Sequence, residues 1–302
     1  MFRLIKVFFR GTTLRTAILG LIGLLLLSGA EVYLSFRFLD WYKNFYDTLQ
    51  NKDYIAFKKE LVLFTGLAAL SVIQYTILRF VNQTYTLKWR EAITLDFLDR
   101  WKGGEVEGYA QRLQEDCAKF ARLFDSIFMG CFSAVVSIVV FTPMLYTLSK
   151  VVFPQEPYLL LLICAGYATI GIALSLMLGR KLPLLEYDNQ KEEARFRRAL
   201  EFKTGDYFHL FSNVKNNYSL LYSRYKVFNF FSSAYFQLGV ILPYLLIGQY
   251  YFTGLITLGA MVQMSKAFNK VNDNMSYLVD SWLSITEFQS VLKRLKEFNN
   301  SI

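Results

Sequence analysis

Four stretches of this chain carry no charged side chain: Leu61 to Leu78, Ser126 to Ser149, Pro157 to Gly179 and Val227 to Ser265, of 18, 24, 23 and 39 residues. A helix crosses the hydrocarbon core of a bilayer with about 20 apolar residues. The first three stretches each fit one span, and the fourth holds more than one. Gly254, between Phe252 and Leu255, is where the chain turns, leaving a fifth helix and the start of a sixth. A further apolar run opens the chain, from Thr16 to about Phe36, interrupted only by Glu31. The pattern predicts an all-α, polytopic membrane protein forming one transmembrane domain over residues 1–302. Its six spans lie at about 16–38, 61–81, 126–149, 157–179, 230–252 and 255–276, with long loops at about 82–125 and 180–226.

Composition agrees. Of 302 residues, 54% are hydrophobic and only 19% charged, which excludes a disordered chain and is more apolar than soluble domains usually are. The net charge of +9 raises nucleic acid as a partner until its distribution is read. The first segment, the 79–125 loop and the 180–226 loop carry 22 Lys and Arg, against six in the intervening segments. The positive-inside rule then places both termini and both long loops in the cytoplasm, and no nucleic acid is needed. The same basic loops suit anionic lipid headgroups.

Arg3, Lys6, Arg10 and Arg15 precede an apolar run ending Ser28-Gly29-Ala30, a pattern close to a cleavable leader. The chain stays apolar and aromatic beyond Ala30 (Val32, Tyr33, Leu34, Phe36, Phe38), which suits a retained first helix; cleavage would leave five spans. Leu113, Cys117, Phe120, Ala121 and Phe124 have helical spacing with no Pro or Gly between Tyr109 and Ser126. One helix from about 109 to 148 is roughly 60 Å long, twice the core thickness, so helices extend into the cytoplasm. After Gly254 an uninterrupted pattern reaches Phe298. On that last helix Lys266, Asp273, Asp280 and Glu287 recur every seven residues and stay on one face, with Lys270 joining them. Two readings stand: the later members face water outside the membrane, or the stripe lines an aqueous cavity or a partner helix.

Several chemistries are missing. No Gly-Lys pair occurs, so the phosphate-cradling loop of an ATPase is absent. Cys117, Cys131 and Cys164 lack paired metal-ligand spacing, and the single histidine, His209, builds neither a metal site nor a triad. No catalytic site, metal or cofactor is expected, and the chain reads as a non-enzyme.

The carboxylates at membrane depth are the candidate chemistry. Glu31 interrupts span one, Asp125 stands at the entrance of span three, and Glu115 precedes it on the same helix. Glu186 and Glu193, seven residues apart, share a face beyond span four. A carboxylate in a partly dry site has its pKa raised toward neutrality and loads and releases a proton. The alternative is ordinary surface pairing, since Glu193 to Arg197 and Glu192 to Arg195 have helical ion-pair spacing.

Trp41-Tyr42-Lys43-Asn44-Phe45-Tyr46-Asp47, Lys88-Trp89-Arg90, and Glu107-Gly108-Tyr109-Ala110-Gln111-Arg112-Leu113-Gln114-Glu115-Asp116 resemble the SbmA/BacA family of bacterial peptide transporters. Lys181-Leu182-Pro183 with Leu185-Glu186, Asn189-Gln190, the segment around Lys215-Asn216-Asn217-Tyr218, Thr257-Leu258-Gly259 and Asp280-Ser281-Trp282 follow in the same order, over about 41–298. The resemblance implies a homodimer in the bacterial inner membrane. Its fold would be similar to the membrane half of an ATP-driven (ABC) exporter, without the ATPase, and its uptake of peptides and peptide-like antibiotics would be driven by protons. The positions matching the family's coupling residues are Tyr46, Glu115, Asp125 and Glu193, with Glu31, Glu186 and Lys266 as secondary candidates from the residue pattern. Asp125 departs from the usual glutamate. The chain also has one span ahead of Trp41 where the family has an additional segment, and Lys203-Thr204-Gly205-Asp206 matches a further family carboxylate only loosely.

The implied function is alternating-access import of peptides coupled to protons. The alternative is the transmembrane subunit of an ABC transporter whose ATPase is a separate chain, docked on the basic loops. A membrane receptor without transport would leave the intramembrane carboxylates without a purpose.

Overall fold

The computed structural model describes residues 2–101, 109–203 and 206–301. No strand occurs among them. The order is α1 (Phe2–Lys6), a 3-10 turn (Gly11–Thr13), α2 (Leu14–Gln50), α3 (Tyr54–Arg100), α4 (Tyr109–Gln111), a π-helical turn (Arg112–Asp116), α5 (Cys117–Val152), α6 (Leu159–Gly179), α7 (Leu182–Phe202), α8 (Tyr207–Phe252), α9 (Leu258–Met275), α10 (Tyr277–Asp280) and α11 (Trp282–Ser301). Residues 107–108 and 204–205 of the sequence blocks named above lie outside the described residues.

Side-chain caps fix where three helices begin. The Asp53 carboxylate accepts from the N–H groups of Ile55 and Ala56 at 3.0 Å. Asp206 accepts from Phe208 and His209 at 3.0 and 3.2 Å, and the Thr257 hydroxyl accepts from Ala260 at 3.1 Å. Asp206 therefore serves as a helix cap. Gly254 turns the chain with φ of 77°, as the sequence predicts.

Five helical rods among the described residues are long and apolar enough to cross a membrane: Leu14–Gln50, Tyr54–Arg100, Tyr109–Val152, Leu159–Phe202 and Tyr207–Phe252. The 44 residues of Tyr109–Val152 run about 66 Å, so the expected helix much longer than a bilayer core is present. The expected sixth span falls on α9, whose 18 residues include Lys266, Lys270 and Asp273 and are correspondingly less apolar. That helix is nonetheless central, packed against α2, α5, α6 and α8. The outer surface is apolar instead: Val62, Val72, Ile73 and Phe80 of α3 all stand exposed, as helices facing lipid do.

Two apolar clusters stack along the molecule. The first unites Leu4 and Phe8 with Leu24 of α2, Trp89 and Phe97 of α3, Phe120 of α5 and Leu295 and Phe298 of α11, at the end where both termini meet. The second joins Leu39 of α2, Phe141 and Leu145 of α5, Leu160 of α6, Ile247 of α8 and Phe268 and Val271 of α9, toward the opposite end where short turns link the helices. Three tryptophans from the blocks quoted above tie neighbours together by donating an indole N–H to a main-chain carbonyl. Trp41 donates to Glu60 at 2.8 Å, Trp89 to Leu4 at 3.1 Å and Trp282 to Gly179 at 3.3 Å.

The segment after Gly254 differs from the expected uninterrupted helix: it breaks at Ser276 and Ser281. Asn272, Asn274 and Ser276 lower its helical preference, and the Ser276 hydroxyl is hydrogen-bonded to the Tyr235 hydroxyl of α8. The short α10 between the breaks is held by aromatic rings. Tyr277 lies on Gly130 of α5 and Trp282 lies on Gly179 of α6, each ring so close that a Cβ at the glycine would collide with it.

Candidate functional site

At the termini end, the π-helical turn Arg112–Asp116 precedes α5. Glu115 is half-buried there, 3.5 Å from the Gln111 amide. Its neighbour Asp116 is 1% exposed and is clasped from two sides. Arg294 of α11 donates to it through two nitrogens at 2.7 and 3.1 Å, and Arg112 donates at 2.8 Å. Arg294 is itself buried and donates to Ser290 at 2.8 Å. Sequence reasoning missed this clasp. The Arg112 to Asp116 spacing of one helical turn is its only local signal; Arg294 comes from 178 residues away.

Asp125, nine residues further on and within α5, is buried and accepts a hydrogen bond from Asn82 of α3. Asn82 thus meets the cost of placing a carboxylate in the helix bundle. Asn82→Ala leaves Asp125 without this donor and is expected to destabilise the protein by about 1–3 kcal/mol, read as a lowered midpoint in thermal unfolding of the detergent-solubilised protein.

The helical hairpin of α7 and α8 carries a second arrangement. Glu186 accepts from Gln190 at 3.0 Å and from the Tyr225 hydroxyl of α8 at 3.3 Å. Seven residues on, Glu193 lies beside Tyr218, seven residues before Tyr225 on the antiparallel helix. The two carboxylates therefore form successive rungs with two tyrosines. Glu193 lines an open groove of about 600 Å³ with Lys215, Tyr218, Tyr222 and Lys226. The two pairing expectations separate here. Glu192 pairs with Arg195, whereas Glu193 has no ion pair with Arg197 among the described residues. The tyrosines are a part of the site that the spacing of the carboxylates did not disclose.

At the turn end, α2 and α9 run antiparallel. Gln50 and Asp47 accept from the first N–H groups of α9, those of Leu258 and Gly259, at 2.6 and 3.0 Å. Asp40 accepts from Gln263 at 3.1 Å. The Lys266 ammonium lies 4.0 Å from the centre of the Tyr42 ring, and Tyr46 is stacked on Tyr42 at 6.5 Å. Tyr46 and Lys266 thus belong to one patch. From Ala17 in the termini-end cluster to Tyr46 is 29 residues of α2, about 44 Å, so this patch is remote from Glu115 and Asp125. Glu31 lies between the two ends, exposed on α2. The stripe on α9 and beyond does reach a cavity: Asp273 and Asp280 line one of about 340 Å³ with Asn269, Phe236 and Val240.

Residues 14–302 match the family model of the SbmA/BacA-like family. Among curated proteins, the chain is 26% identical over 302 residues to ABC transporter D family member 2, chloroplastic, of Arabidopsis thaliana, covering 91% of this chain and 41% of that protein. It is 24% identical over 339 residues to the inner membrane ABC transporter ATP-binding protein YddA of Escherichia coli, covering 98% and 59%. The identity to an uncharacterized ABC transporter ATP-binding protein of Synechocystis is 25% over 310 residues, covering 92% and 45%. The chain spans about half the length of the curated relatives it matches.

Proposed function

Because this chain belongs to the SbmA/BacA-like family, we propose that it is a proton-coupled secondary transporter that imports peptides or peptide-like antibiotics across the bacterial inner membrane by alternating access. In this reading α9 is the sixth span, the helices take the arrangement of an ABC-exporter membrane domain, and two copies enclose the substrate path. Both termini lie in the cytoplasm in this reading, which the distribution of basic residues supports. The observation that carries the proposal is Glu193 in its groove: a half-buried carboxylate beside a tyrosine hydroxyl, free of Arg197, at the mouth of a space large enough for part of a peptide. Protonation of such a group supplies the differential stability that moves an equilibrium between two open states. Glu186 with Tyr225 extends the path, and Asp125 and Glu115 continue it at the termini end.

Reconstitution into ATP-free liposomes with an imposed pH gradient tests this. Accumulation of a fluorescent cationic peptide that vanishes when the gradient is collapsed is the expected result; gradient-independent behaviour in vesicles holding folded protein refutes it.

The names of the curated relatives favour a second reading, that this chain is the membrane part of an ABC transporter driven by an ATPase unit outside these residues. Uptake that needs ATP and a co-purifying ATPase, and ignores the pH gradient, supports that reading.

A further inference from the structure

At the turn end, the first amides of α9 are already engaged. The helix N-terminus is saturated by Gln50, Asp47 and the Thr257 hydroxyl, so its amides hold no further anion. Asp47 and Asp40, the α2 carboxylates nearest in register, are taken by Gly259 and Gln263. Lys270, one turn beyond Lys266, has Asp273 beside it. Like Lys43 and Lys270, Lys266 has no carboxylate within ion-pair distance among the described residues; what sets it apart is the face of Tyr42 at 4.0 Å. An ammonium on an aromatic face keeps its outer N–H groups free while the ring shields it from lipid. A half-buried cation at this depth is costly unless an anion comes to it.

We propose that Lys266, seated on the Tyr42–Tyr46 stack, binds the C-terminal carboxylate of the peptide substrate. This rests on the peptide-transport reading given above. The chemistry is specific: a free α-carboxylate is the one anion that every unmodified linear peptide carries whatever its side chains, so a single lysine orients the chain without reading its sequence. A charge-assisted hydrogen bond of this kind is lost when the carboxylate is replaced by an amide. Asp40 and Asp47 keep their charges, but they are held by Gln263 and Gly259 and neither lies within ion-pair distance of Lys266.

The test compares two peptides of identical sequence, one with a free C-terminal carboxylate and one amidated. Two readouts are used: equilibrium binding to the purified full chain by fluorescence anisotropy, and gradient-driven uptake into liposomes. The free acid is expected to bind about tenfold more tightly than the amide, with the ratio falling to about one in Lys266→Met and persisting in Lys266→Arg. Equal binding of both peptides to the wild-type protein overturns the proposal, whatever the variants do, and is also what a lipid phosphate occupying Lys266 gives. A binding ratio of ten without any gradient-driven uptake leaves Lys266 assigned and refutes the transport mechanism instead. Uptake with no preference in either readout refutes Lys266 and leaves the transport reading standing. No binding of either peptide refutes both.

Discussion

Asp116→Ala is expected to destabilise the folded protein by about 3–5 kcal/mol, the loss typical of breaking a buried ion pair from one side. The reason lies with the partner left behind. Arg294 is 6% exposed and directs two nitrogens at the carboxylate, at 2.7 and 3.1 Å, so it has no route to water when the carboxylate is removed. Arg112, on the same helical turn, is more exposed and swings outward at little cost. The change is read as the shift in thermal unfolding of the solubilised protein. The double variant Asp116→Leu with Arg294→Leu is expected to recover most of the loss, because removing both charges leaves neither one stranded. A single variant within about 1 kcal/mol of wild type would mean that Arg294 finds another partner and that the clasp does not hold α11 in place.

Glu193→Gln is expected to abolish gradient-driven uptake while the protein stays folded and elutes as the wild type does. The substitution keeps size and hydrogen-bonding capacity beside Tyr218 and removes only the ability to carry a proton. No ion pair of Glu193 is broken among the described residues, so the structural cost is small. Glu192→Gln is the matched control. It breaks a real pair with Arg195, but a half-exposed one worth less than about 1 kcal/mol, and transport is expected to continue. Normal uptake by Glu193→Gln removes this residue from the proton path.

Neighbouring glutamates that the sequence treats alike are thus separated by the fold, which shows where reading stops. The apolar runs were readable because the bilayer imposes a length on each, and α2, α3, α5, α6 and α8 follow them. The seven-residue interval of Glu186 and Glu193 also survives as a shared face. Their tyrosines did not emerge, since which α8 residues stand opposite depends on the register of the α7–α8 hairpin, which no local spacing fixes. Asn82 was unreadable for a similar reason: its value comes from facing Asp125 across two helices. The Arg112–Asp116 spacing was in view, yet only Arg294 makes it more than a surface pair. The breaks at Ser276 and Ser281 ran against an apolar pattern that continued through them; at Ser276 the partner, Tyr235, reaches in from another helix.

Those breaks give the short α10 a mechanical meaning. A link with a flexible point at each end would ordinarily let α9 and α11 swing independently. Here each joint is meshed with a different rod: Tyr277 is seated on Gly130 of α5, and Trp282 on Gly179 of α6. Neither joint can bend toward its rod, because the ring already fills the space that the glycine leaves. The chain from α9, which carries Lys266, to α11, which clasps Asp116, is thus braced against α5 at one joint and against α6 at the other.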